Sequence, residues 1–148
     1  MSEHKVTLEW KRESESFSYE SYNRDHVLVF EGGARIPASA APAYRGNPAH
    51  VNPEEALVAA LSSCHMLTFL AIAAKKQFIV DRYSDQAVGF LEKNQKGKLA
   101  ITRVILHPRV TFAGTPPTPE QIATLHERAH SECFIANSVT TEVTVEAE

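Results

Sequence analysis

Hydrophobic and polar residues alternate in two short stretches near the N-terminus, over residues 5–12 and 17–22. Successive side chains of a strand point to opposite faces, so each stretch predicts a half-buried strand, and the residues between them predict a hairpin connection. A third strand is expected over residues 27–30, where an apolar run stops at Gly32 and Gly33.

A long loop and a long helix are predicted next. Residues 34–51 carry three prolines and a glycine among small residues, which is typical of a loop that is flexible or functional. Asn52 can cap a following helix, Pro53 suits its first turn, and the acidic pair after it complements the helix dipole. We expect this helix to continue to Lys75 or Lys76.

The second half predicts more strands and one more helix, which places the chain in the α+β class as a single domain over residues 1–148. Thr118 is expected to cap that helix, and Pro108 marks a bulge or an edge. The connections are short, so most strand pairs should be antiparallel. The predicted elements are strands over 78–91, 99–106 with 110–112, and 139–145, and a helix from 119 to about 132.

The first helix contains no formally charged residue between Ala56 and Ala74 and is nearly long enough to cross a bilayer. Hydroxyl and imidazole side chains interrupt it, and it does not have aromatic and basic flanks at both ends. A buried central helix is therefore expected rather than a membrane span. Its apolar residues surround most of the helix, which one sheet cannot cover, so we expect a homodimer.

Composition and charge narrow the function. Of the 148 residues, 43% are hydrophobic and 22% charged, the net charge is -3, and the signs are mixed, so a basic nucleic-acid-binding surface is not expected. The polar N-terminus lacks the apolar core of a signal peptide, which favours the cytoplasm.

The two cysteines are candidates for chemistry. Cys64 lies in the middle of the first helix, and Cys133 follows the second. A permanent disulfide is rare in the cytoplasm, while buried free thiols are common. From the residues alone, both the inert and the reactive interpretation stay open.

A metal site is a competing interpretation. His126, His130 and Cys133 are spaced to lie on one helix face, and Cys64 or His65 would complete four zinc ligands. No Cys-x-x-Cys pair supports it, however, and a helical His pair alone is a weak signal.

One motif resembles a known family. Nine residues separate Glu54 of the Asn52-Pro53-Glu54-Glu55 motif from Cys64, and a late cysteine ends the second helix. Together with length and element order, this pattern resembles the OsmC/Ohr family of thiol peroxidases, and in particular its OsmC-like branch. The resemblance implies an OsmC-like fold, with antiparallel sheets packed around a long central helix plus a second helix. It also implies an intertwined homodimer with active sites at the interface.

The resemblance also implies residue roles. Cys64 would be the peroxidatic thiol and Cys133 the resolving thiol, while Glu54 matches the family's active-site glutamate. Arg24 is the best match to the catalytic arginine that stabilises the thiolate, and Glu54 would orient its guanidinium. Two other arginines match less well: Arg35 and Arg45.

The implied substrate is an organic hydroperoxide, favoured by apolar walls such as Met66, Leu67 and Phe69. The implied reductant is an external dithiol, which for some relatives is a lipoylated protein, and no cofactor is needed. His65 after Cys64 and Phe134 in place of proline after Cys133 depart from the family pattern. The departures leave a second hypothesis, an OsmC-like small-molecule-binding or stress protein with little peroxidase activity.

Overall fold

The structure is a computed structural model that describes all residues 1–148. Two helices and several small sheets confirm the predicted α+β class. The chain divides into two compact units, residues 1–56 and 57–148.

The first unit contains a three-stranded antiparallel sheet in the order β1-β2-β3. The strand predicted over residues 17–22 is wrong, because this stretch forms turns. Serine side chains form hydrogen bonds within this stretch, and the Ser18 and Ser21 hydroxyl oxygens lie 2.7 Å apart. Such local bonds compete with strand pairing. The strands are β1 (Val6–Glu9), β2 (His26–Phe30) and β3 (Arg35–Ala38).

The predicted loop over residues 34–51 is also partly wrong, since it contains β3 and a short 3-10 helix, Pro42–Tyr44. Gly33, at φ 93°, turns the chain so that β3 can pair with β2. Pro37 lacks an N–H and is tolerated in β3 because this strand lies at the edge of the sheet.

The first helix, α1 (Pro53–Lys75), has the predicted bounds. Asn52 Oδ1 accepts from the Glu55 N–H at 2.9 Å, and Glu55 Oε1 accepts from the Asn52 N–H at 3.3 Å, a reciprocal cap. By length and composition alone α1 could cross a membrane. One stripe of α1 is buried in the protein, at Leu61, His65, Phe69, Ile72 and Ala73.

The second unit contains two sheets. The strand predicted over residues 78–91 is in fact two strands in different sheets, and the last strand is shorter than predicted and parallel to β6. One sheet pairs β4 (Ile79–Asp85) with β7 (Pro108–Ala113), and the other has the order β5-β6-β8, from β5 (Val88–Lys93), β6 (Leu99–Leu106) and β8 (Glu142–Val145).

The second helix, α2 (Pro119–Glu132), begins where the sequence predicted, and Thr118 and Gln121 form a reciprocal cap. Its Leu125 and Ala129 pack with Phe69 of α1 in one core cluster. A second cluster, around Leu61, joins α1 to β6. These clusters fix the places where α1 and α2 present the two cysteines.

Candidate active site

Cys64 and Cys133 lie next to each other in the second unit. Cys64 is half-buried in the middle of α1, and Cys133, only 1% exposed, forms the C-cap of α2. Both are free thiols, and their side chains are close enough for each thiol to shift the pKa of the other. The structure thus brings together the two sulfurs that the sequence singled out.

The chain after Cys133 directs three successive backbone amides at the two sulfurs. The Ala136 N–H donates to Cys133 Sγ at 3.4 Å, and the Phe134 and Ile135 amides lie close enough to Cys64 to lower its pKa through hydrogen bonding. Asn137 holds this turn, because its Nδ2 donates to the Ser131 and Cys133 carbonyls at 3.0 Å each. Successive amides of this kind form a nest that suits an anion.

The two thiols have opposite pKa shifts. Burial raises the pKa of Cys64, but hydrogen bonds from the Ile135 amide, the Cys133 thiol, the Phe134 amide and the Thr68 hydroxyl outweigh burial and lower it. Burial is also the main cause that raises the pKa of Cys133, and the bond and charge of Cys64 add to it. Cys64 is therefore the more acidic thiol and the better source of a thiolate.

The sequence predicted neither the amide nest nor the part of Thr68. Thr68 follows Cys64 by one helical turn, and its hydroxyl donates its single proton to the Cys64 carbonyl at 2.8 Å. The hydroxyl must rotate to donate that proton to the Cys64 sulfur instead. The i+4 spacing of Thr68 from Cys64 was the sequence signal that could have predicted this contact, because residues four apart lie on the same helix face. Backbone donors leave no such signal, because any residue other than proline supplies an N–H.

Glu54 and Arg24 belong to the first unit and do not pair with each other in this chain. Glu54 is half-buried in the first turn of α1, and its Oε2 is buried without a hydrogen-bond partner. The Arg24 guanidinium donates to the carbonyls of Tyr22 and Tyr19 at 2.5 Å each and stacks 3.5 Å from the Tyr22 ring. The role of either residue at the thiolate stays a prediction.

The other two arginines have different surroundings. Arg35 is exposed and pairs with Glu9 at 3.4 Å. Arg45 adopts φ 66° at the end of the 3-10 helix, and its guanidinium lies 5.6 Å from the Tyr19 ring centre. Arg24 and Arg45 thus approach the same tyrosine, whereas Arg35 is tied to β1.

His65 points away from the sulfur chemistry and into the core. It is 1% exposed, and its Nε2 lies 3.0 Å from His126 Nδ1, with the two rings stacked. Phe69 is fully buried and packs on His126, so the predicted role of Phe69 as a substrate wall is wrong.

The zinc alternative finds no support. No group of three or more His, Cys, Asp or Glu side chains is arranged to hold a metal ion. Cys133 is engaged with Cys64, while His126 is engaged with His65. Four of the five predicted ligands thus form two separate pairs, and His130 belongs to neither pair.

Comparisons with known proteins agree with this geometry. A family model described as OsmC-like protein matches residues 46–148. A solved OsmC-like protein of unknown function from Vibrio cholerae is 52% identical, with a TM-score of 0.96 and 100% coverage of both chains.

More distant solved structures share the fold. An organic hydroperoxide resistance protein from Elizabethkingia anophelis is 18% identical, with a TM-score of 0.73, over 100% of this chain and 98% of that one. The organic hydroperoxide resistance protein OhrB of Bacillus subtilis is 16% identical, with a TM-score of 0.64, over 99% and 98%. The search of curated proteins finds no match. The chain therefore belongs to the OsmC/Ohr family, as an OsmC-like member.

Proposed function

We propose that the chain is a thiol peroxidase that reduces organic hydroperoxides through Cys64 and Cys133. One observation carries the proposal: two free thiols lie side by side, a half-buried Cys64 on α1 and a fully buried Cys133 at the end of α2. Hydrogen bonding lowers the pKa of Cys64, and burial raises the pKa of Cys133, which agrees with this assignment of roles. A peroxidatic thiol must be a nucleophile, and a resolving thiol must wait beside it. Two distant relatives of known structure are organic hydroperoxide resistance proteins, which agrees with this substrate class.

The proposed reaction has two steps in the protein. The Cys64 thiolate attacks the outer peroxide oxygen, the O–O bond breaks, and the alkoxide takes up a proton to leave as the alcohol. Cys64 is thereby oxidised to a sulfenic acid. Cys133 then attacks that sulfur, water leaves with the Cys133 proton, and a disulfide forms. An external dithiol reduces the disulfide and returns both thiols.

The amide nest and the two residues of the first unit have complementary roles in the proposal. The Phe134 and Ile135 amides stabilise the negative charge on Cys64. Arg24 adds a cation, from this chain or from a second copy in a cytoplasmic homodimer. Glu54, whose buried Oε2 lacks a partner, holds that guanidinium in the assembled site. A dithiol such as a lipoylated protein is the expected reductant.

Peroxide consumption in the presence of a dithiol tests the proposal. With cumene hydroperoxide and dihydrolipoamide, we expect turnover by the unmodified chain and none by Cys64→Ser. Cys133→Ser should complete one oxidation and then stop or turn over slowly. Ser63→Ala changes the exposed neighbour of Cys64 and should retain full activity. If the unmodified chain consumes no peroxide and keeps both thiols reduced, the proposal fails.

A further inference from the structure

A groove on the second unit lies between α2 and β8 and has a volume of about 380 Å³. Aliphatic side chains line it from both elements, among them Ile122, Val143 and Val145. This volume falls within the range of about 300 to 1,000 Å³ that is usual for small-molecule sites. Neither cysteine lines the groove, so it is separate from the proposed peroxide site.

Two histidines of α2, one turn apart, bring polar atoms to this apolar groove. His126 is 5% exposed, and its Nε2 is buried without a hydrogen-bond partner. His130 also lines the groove, and its Nδ1 is likewise buried and unpartnered. A buried polar atom without a partner destabilises the protein, so a ligand that hydrogen-bonds both atoms would recover that free energy.

The hydrogen bond between His65 and His126 allows two arrangements of the ring protons, and each of them leaves one buried N–H without an acceptor. Burial lowers the pKa of His126, so its ring is neutral at pH 7 and carries one N–H. If that proton were on Nδ1, it would be donated to His65 Nε2 and the proton of His65 would be left on its own buried Nδ1 without an acceptor. If instead His65 Nε2–H donates to His126 Nδ1, the N–H without an acceptor is that of His126 Nε2, on the ring edge turned away from His65. An ionised carboxyl group would accept from this N–H, and a protonated one would donate to Nε2 in the first arrangement.

We propose that this groove is a second ligand site, which binds a small aliphatic monocarboxylic acid with its carboxyl group on His126 Nε2 and His130 Nδ1. A carboxyl group satisfies either tautomer of His130, because it accepts when ionised and donates when protonated. The aliphatic lining takes the alkyl chain. Glu127 also lines the groove, and although its charge opposes an anion, this side chain is exposed and well solvated.

An NMR titration of the full-length chain tests the proposal, with sodium hexanoate as the probe and hexan-1-ol as the matched probe without a carboxyl group. We expect saturable shifts with hexanoate in α2 and β8, and about fivefold weaker binding of hexanol, the effect of about 1 kcal/mol of hydrogen bonding. His130→Ala should reduce this preference for the acid.

Two tryptophan substitutions on α2 locate the site. Ala123 is exposed and lines the groove, so Ala123→Trp should fill it and weaken hexanoate binding about tenfold or more. Ser131 is also exposed but lies outside the groove, so Ser131→Trp should bind as the unmodified chain does. Peroxide-driven oxidation of Cys64 should be the same in Ala123→Trp, which separates this site from the proposed activity.

Three results would overturn the second site. These are the absence of saturable shifts up to the solubility limit of hexanoate, equal affinity for acid and alcohol, and unchanged binding by Ala123→Trp. None of them bears on peroxide turnover, so the proposed function would stand or fall separately.

Discussion

At the scale of single residues, the surroundings of Cys64 explain how a thiol in an apolar helix becomes acidic. Burial alone would favour the neutral thiol. Four hydrogen bonds, two of them from backbone amides, act in the opposite direction and lower the pKa. The backbone amides are held by the turn after α2 and need no rearrangement when charge develops. Phe134 contributes to the low pKa of Cys64 through its backbone N–H, which a proline at this position would not have.

Phe134→Pro should raise the pKa of Cys64, because proline has no N–H to donate to the sulfur. Phe134→Ala is the matched control, since it keeps the amide and removes a side chain that is 81% exposed. The rate of iodoacetamide alkylation against pH measures the shift. Equal profiles for the two variants would mean that this amide does not stabilise the thiolate.

Thr68→Val should slow alkylation of Cys64 at pH 7 by a few-fold, since one neutral hydrogen bond is worth about 1 kcal/mol. Thr124→Val is a matched control on α2, because the Thr124 hydroxyl makes the same kind of i−4 backbone bond, at 3.0 Å to Glu120 O. A rate unchanged by Thr68→Val, or reduced as much by Thr124→Val, would show that the hydroxyl does not act on the sulfur.

At the scale of elements, the sequence predicted the features that depend on neighbouring residues, but it did not predict which distant strands pair with each other. The caps at Asn52 and Thr118 set the starts of both helices, because capping depends on neighbours three residues away. Residues 78–91 read as one strand, yet β4 and β5 pair with different partners far along the chain. No local pattern specifies such a change of sheet.

The same distinction applies to the site. Cys64, Cys133 and Glu54 could be predicted because the family motif consists of residue types at fixed spacings along the chain, which the sequence shows directly. The stacking of His65 on His126 joins residues 61 positions apart and could not be read from either helix alone.

The contact between α1 and α2 should make stability depend on pH. Burial lowers the pKa of His65 to about 4 from the usual 6.5 and also lowers that of His126. As the pH falls from about 6.5 towards 4, these histidines therefore bind protons in the unfolded chain but remain neutral in the folded chain. Stability is complete above this window and decreases within it, by about 3 kcal/mol for His65 alone.

Urea unfolding between pH 7.5 and 4.5 measures this effect. The double variant His65→Leu/His126→Leu should lose the steepest part of the pH dependence, whereas His4→Leu, at an exposed position, should retain it. If the double variant and the unmodified chain had the same pH dependence, the buried pair would not be the cause.

At the scale of the whole molecule, large apolar side chains remain exposed. Leu67 on α1 is 60% exposed, and Trp10 and Phe17 in the first unit are 45% and 68% exposed. Isolated exposed apolar residues are ordinary, but α1 is apolar well beyond its buried stripe. These surfaces agree with the expected homodimer without identifying its geometry.

Leu67→Glu should shift sedimentation from a dimer towards a single chain, because burying a carboxylate at an interface is costly. Leu99→Glu is matched in exposure, at 58% against 60%, but follows a lysine-rich turn and should leave the dimer intact. A monomeric unmodified chain at micromolar concentration would contradict the expectation directly.

The most direct test of the account is a peptide map of the reduced chain after one equivalent of cumene hydroperoxide, quenched with an alkylating agent. We predict a disulfide-linked peptide that joins Cys64 to Cys133, and a Cys64 sulfenic acid trapped by dimedone in Cys133→Ser. Recovery of both cysteines as alkylated free thiols, with the peroxide unconsumed, would contradict the account.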